Sequence, residues 1–124
     1  MRFYLGKRSM EQLETCEEDL IILAEEMIDV VNFSVIRGFR GEEAQNLAYE
    51  AGASGCRWPD SYHNSPVSRA FDFVPYPMKE GDWEDIARFS VIGGVALGIA
   101  KQRGIEIEWG GSWGWDFGHV QLKR

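Results

Sequence analysis

Apolar residues recur at Leu20, Leu23, Ala24, Met27 and Ile28, the three-to-four spacing of a helix that buries one face. Ser9, followed by Gln12 three residues on, predicts a capping box, so this helical region is expected to open near Ser9 and continue through Ile28. Glu17, Glu18, Glu25 and Glu26 would form its solvated face. The period then changes to two. Phe33-Ser34-Val35-Ile36-Arg37 alternates as a strand does, and the turn from Gly38 to Gly41 leads into a short helix over residues 42–50. Residues 52–66 contain Gly, Ser, Pro and Asn throughout and predict a long, functional loop. In Ala70-Phe71-Asp72-Phe73-Val74 the alternation would bury Phe71 and Phe73 and present Asp72 on the opposite face. Beyond Pro75 and Pro77, Asp82 is expected to cap a long helix carrying Ile86, Phe89, Val91, Ile92, Val95, Leu97 and Ile99 and ending near Gly104. Gly94 and Gly98 within it predict close packing under a sheet; no Lys-Ser/Thr follows to make a phosphate loop. Two short strands, residues 105–109 and 119–122, flank a loop of glycines and tryptophans.

Composition narrows the class. A chain of 124 residues, 44% of them hydrophobic, can build one core but not two, so residues 1–124 are expected to form a single domain. A net charge of −7 argues against nucleic acid, whose phosphates demand a basic face. Cys16 and Cys56 belong to no C-x-x-C pattern and read as free thiols. The segment from Met1 to Arg8 lacks the apolar stretch of a secretory signal, and the apolar run over residues 89–100 is too short to span a bilayer. The chain is therefore expected to be cytoplasmic on synthesis, without stable membrane association, and to act as a monomer.

The chemistry sits around the only two histidines. His63 ends Ser61-Tyr62-His63 and is followed nine positions later by Asp72; His119 closes Asp116-Phe117-Gly118-His119. Two imidazoles and one carboxylate leave a fourth position for water, the arrangement of a catalytic zinc, since structural sites usually close their shell with cysteines. Asp116 is then a spare carboxylate, three residues before His119 and able to act as general base. A histidine taken at random is more often a surface or hydrogen-bonded core residue. Here, however, each candidate ligand adjoins a loop and an apolar strand-like run, where a preorganised site can be built. Arg37 and Arg40 are both candidate cations. Trp109 reads as a core residue, whereas Trp113 and Trp115, beside Asp116 in a glycine-rich loop, are candidates to line a substrate cleft along with Ser61.

Several motifs in order resemble the zinc peptidases of the D-alanyl-D-alanine carboxypeptidase and L-alanyl-D-glutamate endopeptidase family, which includes many phage endolysins. They are Gly38-Phe39-Arg40 with Gln45, Ser61-Tyr62-His63-Asn64, Ser68-Arg69-Ala70-Phe71-Asp72, Asp82-Trp83, Trp109-Gly110-Gly111, and Asp116-x-x-His119-Val120-Gln121-Leu122. The likeness runs from about Phe3 to the last residues. It implies His63, Asp72 and His119 as zinc ligands, Asp116 as general base, and Arg40 rather than Arg37 as the residue that polarises the scissile carbonyl or holds a substrate carboxylate. Ser112 and Gln121 depart from the aspartate and glutamate common in relatives, and the segment after Trp113 is short.

The resemblance implies an α+β domain of the Hedgehog and D,D-peptidase kind, a small antiparallel sheet carrying zinc at its edge and flanked by helices. Its expected activity is zinc-dependent hydrolysis of peptidoglycan stem peptides, between L-alanine and D-glutamate, by a phage or prophage endolysin that reaches the wall after release. Alternatives are a D-alanyl-D-alanine carboxypeptidase, or a non-catalytic, metal-stabilised phage or wall-binding module.

Overall fold

A computed structural model describes residues 2–65 and 67–123. Met1 and Pro66, end members of two segments interpreted above, lie outside them. In chain order the elements are α1 (Lys7–Leu13), α2 (Glu18–Met27), β1 (Phe33–Arg37), α3 (Glu42–Glu50), β2 (Ala70–Pro75), α4 (Ile86–Arg103), β3 (Ile107–Trp109) and β4 (His119–Leu122). Short 3₁₀ turns occupy Tyr62–Asn64, Asp82–Glu84 and Gly110–Trp113.

The four strands form one antiparallel sheet in the order β1-β2-β4-β3. Its core is the layer between this sheet and helices α2 and α4. Phe33 and Val35 from β1, Phe71 and Phe73 from β2, and Val120 from β4 are buried there with Leu20, Leu23 and Met27 of α2 and Phe89, Ile92 and Ala96 of α4. Burying a side chain the size of Phe71 or Phe73 contributes roughly 1.5–3 kcal/mol each. The alternation expected for β1 is realised; in β2 Phe71 and Phe73 are buried and Asp72 is not, as expected, but Ala70 and Val74 on the Asp72 face are buried too, so the strand is covered on both faces except at Asp72.

The N-terminal helix differs from expectation. Instead of one helical region there are two, and Ser9 and Gln12 make no capping box; the residue capping α1 is Gly6. Ser9 Oγ accepts the Val35 amide at 3.0 Å and Gln12 Oε1 accepts the Gly38 amide at 3.1 Å. Both side chains thus satisfy the open flank of edge strand β1, which would otherwise present unpaired amides. The chain leaves helical geometry after Leu13 because Cys16 bridges to Ser68: the Glu17 amide donates to Ser68 O at 2.9 Å and the Ser68 amide to Thr15 O at 2.8 Å. Long-range pairing overrides local helical spacing.

The long helix also starts later. Asp82 lies in the preceding 3₁₀ turn, and Asp85 is the cap of α4, its carboxylate accepting the Arg88 amide at 3.2 Å. Gly104 ends α4 in the left-handed region, φ 71°, as predicted. Phe89 and Ile92 are buried, but Ile86 and Val91 are exposed, so the apolar face is narrower than the sequence pattern implied. Gly94 and Gly98 do not mediate close packing, since a Cβ at either would meet open space. Gly93 does: together with Gly111 it clamps the indole of Trp109, whose Nε1–H donates to Phe117 O at 2.8 Å. Trp109 is the core tryptophan expected. Both cysteines are free thiols, Cys16 buried and Cys56 exposed, and no helix among the described residues is long and apolar enough to cross a membrane.

This packing separates the glycines of α4 experimentally. Gly93→Ala drives a methyl into the Trp109 ring and is expected to cost about 1–3 kcal/mol. Gly94→Ala and Gly98→Ala should stabilise by about 0.5–1 kcal/mol by stiffening the helix at open positions. Urea unfolding of the three variants checks the order; a Gly94→Ala protein less stable than Gly93→Ala would refute this packing.

Candidate active site

Strand pairing aims the first two residues. Asp72 and His119 are direct partners across β2 and β4, so their side chains leave the sheet side by side on the same face. These are the two central strands, not an edge, which gives both side chains a backbone fixed on each side. His63 arrives from the Tyr62–Asn64 turn, a true capping box in which Ser61 Oγ accepts the His63 amide at 3.2 Å and Asn64 Oδ1 accepts the Ser61 amide at 3.0 Å. His63 Nε2 and His119 Nδ1 both point at Asp72 Oδ1, at 3.3 and 3.1 Å. The other carboxylate oxygen, Oδ2, meets Arg40 Nη2 at 3.5 Å.

Behind each imidazole stands a carbonyl oxygen. His63 Nδ1–H donates to Gly38 O at 2.8 Å, and His119 Nε2–H donates to Gln121 Oε1 at 2.8 Å. A neutral ring so held has only a lone pair left at its front nitrogen, and both lone pairs face the same anionic oxygen. That arrangement is repulsive unless a proton, which makes the ring cationic and lets it donate to Asp72, or a metal ion lies between. The three ligand atoms of His63, Asp72 and His119 lie within 4.8 Å of one another, so these residues could hold a metal ion that all three face. Carbonyl partners on the far nitrogens are the usual means of fixing tautomer and ring plane at such centres. Gly38 must be glycine for this, because a Cβ there would strike Gln12 O and the Thr15 hydroxyl.

Charge is unevenly distributed. Burial by itself would raise the Asp72 carboxyl, but the hydrogen bonds and charge of the two imidazoles outweigh it and hold the group well below the usual carboxylate range. His119 responds in the complementary sense: burial disfavours its cation, yet the hydrogen bond and charge of Asp72 prevail and raise its pKa. Asp116 behaves differently. Its carboxylate Oδ2 is 4.0 Å from His119 Nδ1, and burial, reinforced by the nearby Asp72 charge, raises its pKa. A carboxylate that holds its proton more readily than usual, on the rim of a candidate metal centre, suits proton transfer in both directions. Gly110 lets it sit there, since a Cβ at that position would strike the Asp116 backbone.

Gln45 was noted in sequence only as part of a motif, and the structure gives it a larger part. It is fully buried, and every hydrogen-bonding atom of its amide is engaged. Oε1 accepts from Arg40 Nη1 at 3.2 Å and Asn64 Nδ2 at 3.1 Å, while Nε2 donates to Ser54 Oγ at 2.9 Å and Cys56 O at 2.6 Å. One glutamine thereby ties the Arg40 loop, the His63 turn and the loop over residues 54–56 together. Its place in the motif after Gly38-Phe39-Arg40 was the available signal.

A cleft of about 320 Å³ opens over these groups, and Ser61, Trp113 and Trp115 line it with Arg40, Asp116 and His119. Trp113 lies over His119, ring centroids 5.6 Å apart, and against Trp115 at 5.7 Å. Of the two candidate arginines, Arg40 reaches the Asp72 carboxylate; among the described residues Arg37 makes no such ion pair, although its charge is felt at Arg40. The sequence profile of the family described as phage L-alanyl-D-glutamate peptidase matches residues 1–121. The chain belongs to that family. One relative, the L-alanyl-D-glutamate peptidase of Escherichia phage T5, is 29% identical over 139 aligned residues, covering 98% of this chain and 99% of its own. The crystal structure of the Serratia marcescens L-Ala D-Glu endopeptidase ChiX superposes with a TM-score of 0.76 at 29% identity, covering 97% of this chain and 90% of that one. The α+β architecture expected from sequence is therefore the architecture of this family's fold.

The backing contact at His119 is separable from the ligands themselves. Gln121→Leu removes the acceptor for Nε2–H and is expected to weaken metal binding about 10–100-fold while the fold persists. Competition against a chromophoric chelator measures this; unchanged affinity would mean that the Gln121 contact does not orient the ring.

Proposed function

We propose that the chain is a zinc-dependent endopeptidase that hydrolyses the L-alanyl–D-glutamate bond of peptidoglycan stem peptides, acting as a single catalytic domain and as a monomer. The observation that carries this is the convergence of His63 Nε2 and His119 Nδ1 on Asp72 Oδ1, with Asp116 4.0 Å from the same His119 nitrogen. Two nitrogens, one oxygen and an open fourth side form a donor set suited to zinc in a catalytic role. Zinc bound there would act as a Lewis acid on the scissile carbonyl and make water a stronger acid. Family membership and relatives named as L-alanyl-D-glutamate peptidases support the bond assignment. A phage or prophage endolysin, made in the host cytoplasm and released to the wall at lysis, is the biological setting that fits these relatives.

The protein's own groups divide the work. Asp116 takes the proton of the attacking water and returns it to the leaving amine, which its raised pKa favours. Arg40, fixed by Gln45 and Asp72, presents its remaining N–H groups to the oxyanion or to a substrate carboxylate. Trp113 and Trp115 flank the peptide in the cleft that Ser61 also lines, and narrow water access there.

Digestion of purified peptidoglycan with metal-loaded and chelator-treated protein tests the reading. New N-terminal D-glutamate is expected; free D-alanine instead would identify a carboxypeptidase, and no product a non-catalytic module. His63→Ala and His119→Ala should each lose the metal, and full zinc occupancy in His119→Ala would sink the ligand assignment. Asp116→Asn should keep zinc and fold yet lose at least about a hundredfold in rate, the scale of a missing general base.

Arginine 40 has two possible duties that kinetics tell apart. If Arg40 acts in the transition state, Arg40→Lys lowers kcat with little change in KM; if it anchors substrate, KM rises. Arg37→Lys is the control, and near-normal Arg40→Lys beside a crippled Arg37→Lys would show that the other arginine does the work.

A further inference from the structure

The cleft does not end at Asp116. Beyond Trp115 it continues into a second hollow of about 250 Å³, and the two share Asp72, Trp115 and Asp116. The halves differ in chemistry. Arg40, Ser54, Asp60 and Ser61 give the first a polar wall of mixed charge that includes a cation. The second is walled by Ile36, Trp83, Ile86, Phe89 and Phe117, and its only charged residues are the two shared aspartates. Ile36, Trp83, Ile86 and Trp115 are 44%, 65%, 53% and 65% exposed, although they come from four separate segments: β1, the Asp82–Glu84 turn, the start of α4 and the loop before β4. Isolated exposed apolar residues need no explanation, but several gathered around one hollow beside a reactive centre mark a binding surface. Trp83 is held in place as it projects, its ring 6.5 Å from that of Phe89 and tilted by 31°.

We infer that this hollow is the subsite for the uncharged, sugar-bearing half of the substrate, the acyl side of the cleaved bond. The inference rests on the endopeptidase reading and on the asymmetry of the bond itself. On its amine side stands D-glutamate, which brings carboxylates. On its acyl side stand the alanine methyl, the lactyl ether and the muramyl ring, none of which is charged. Asp72 and Asp116 border both hollows, but only the first adds a cation, Arg40, to receive a carboxylate; the second has none in its walls. The indole faces of Trp83 and Trp115 suit the flat C–H faces of a sugar and its lactyl methyl, an apolar body with a polar periphery. Trp83 is a specificity residue in this account and takes no part in the chemistry.

The test uses the zinc-loaded protein and two soluble substrates that share one peptide, L-alanyl-D-glutamyl and its continuation, one carrying N-acetylmuramic acid on the alanine and the other a plain N-acetyl group. Wild-type protein is expected to cleave the muramyl substrate with a kcat/KM about tenfold higher, the scale of one good aromatic contact. In Trp83→Ala, and in Ile86→Ser as an independent variant, that ratio should fall toward one, mainly through KM, with the thermal unfolding midpoint recorded for each. A wild-type ratio of one overturns the subsite, as does a Trp83→Ala protein that loses the same factor on both substrates. If the wild type cleaves neither, the endopeptidase reading falls and the subsite falls with it; cleavage of both without preference leaves the enzyme and removes the subsite alone.

Discussion

A single carboxylate with three cationic or proton-bearing neighbours governs this structure. Asp72 receives His63 and His119 on one oxygen and Arg40 on the other. Taking such a group out of water is unfavourable unless its partners are held in place, so the surrounding chain has to supply rigid backing for each of them. The Gly38 carbonyl backs His63, Gln121 backs His119, and Gln45 backs Arg40. Each backing residue is itself anchored. Gly38 is pinned by Gln12, Gln45 by Ser54 and Cys56, and Gln121 sits on β4 between β2 and β3.

That arrangement explains why the first helix behaves as it does. Ser9, Gln12 and Thr15 all turn toward β1 and the segment after it, with Thr15 Oγ accepting the Phe39 amide at 2.7 Å. Their shared effect is to hold residues 35–39 against α1, which sets the height of the Gly38 carbonyl and so the plane of His63. A helix far from the reactive groups in sequence is therefore one contact removed from a candidate ligand.

Strands and candidate ligands were legible because both depend on local pattern. The period of two over Phe33–Arg37 needs no knowledge of the partner, and His63, Asp72 and His119 stand out by chemical type. What local pattern could not convey was competition. Ser9 with Gln12 satisfies the rule for a helix start, yet the same atoms find partners on β1; Asp82 and Asp85 both satisfy the rule for a cap, and only tertiary geometry selects Asp85. The pair Gly94 and Gly98 carried the recognisable spacing, while the glycine that matters, Gly93, has meaning only once Trp109 is folded against it. Backing residues such as Gln45 and Gln121 were hidden for a related reason: an uncharged amide gains its role from the burial around it.

Net charge poses an apparent conflict with the proposed substrate, because a chain at −7 is repelled by an anionic wall polymer. The distribution of that charge resolves much of it. Glu17, Glu18, Glu25 and Glu26 lie on or beside α2, which packs on α4 beneath the sheet, whereas the cleft opens over β2 and β4. Within the cleft Asp60, Asp72 and Asp116 are met by Arg40 and, on the proposed reading, by a divalent cation, which brings the cleft close to neutral. Screening over about 8–10 Å at ordinary salt confines each field to its own surface. The α2 face is then repelled by the wall polymer in general, while Arg40 can receive a carboxylate at short range inside a near-neutral cleft, so that capture depends on the peptide entering the site and not on adhesion to the polymer.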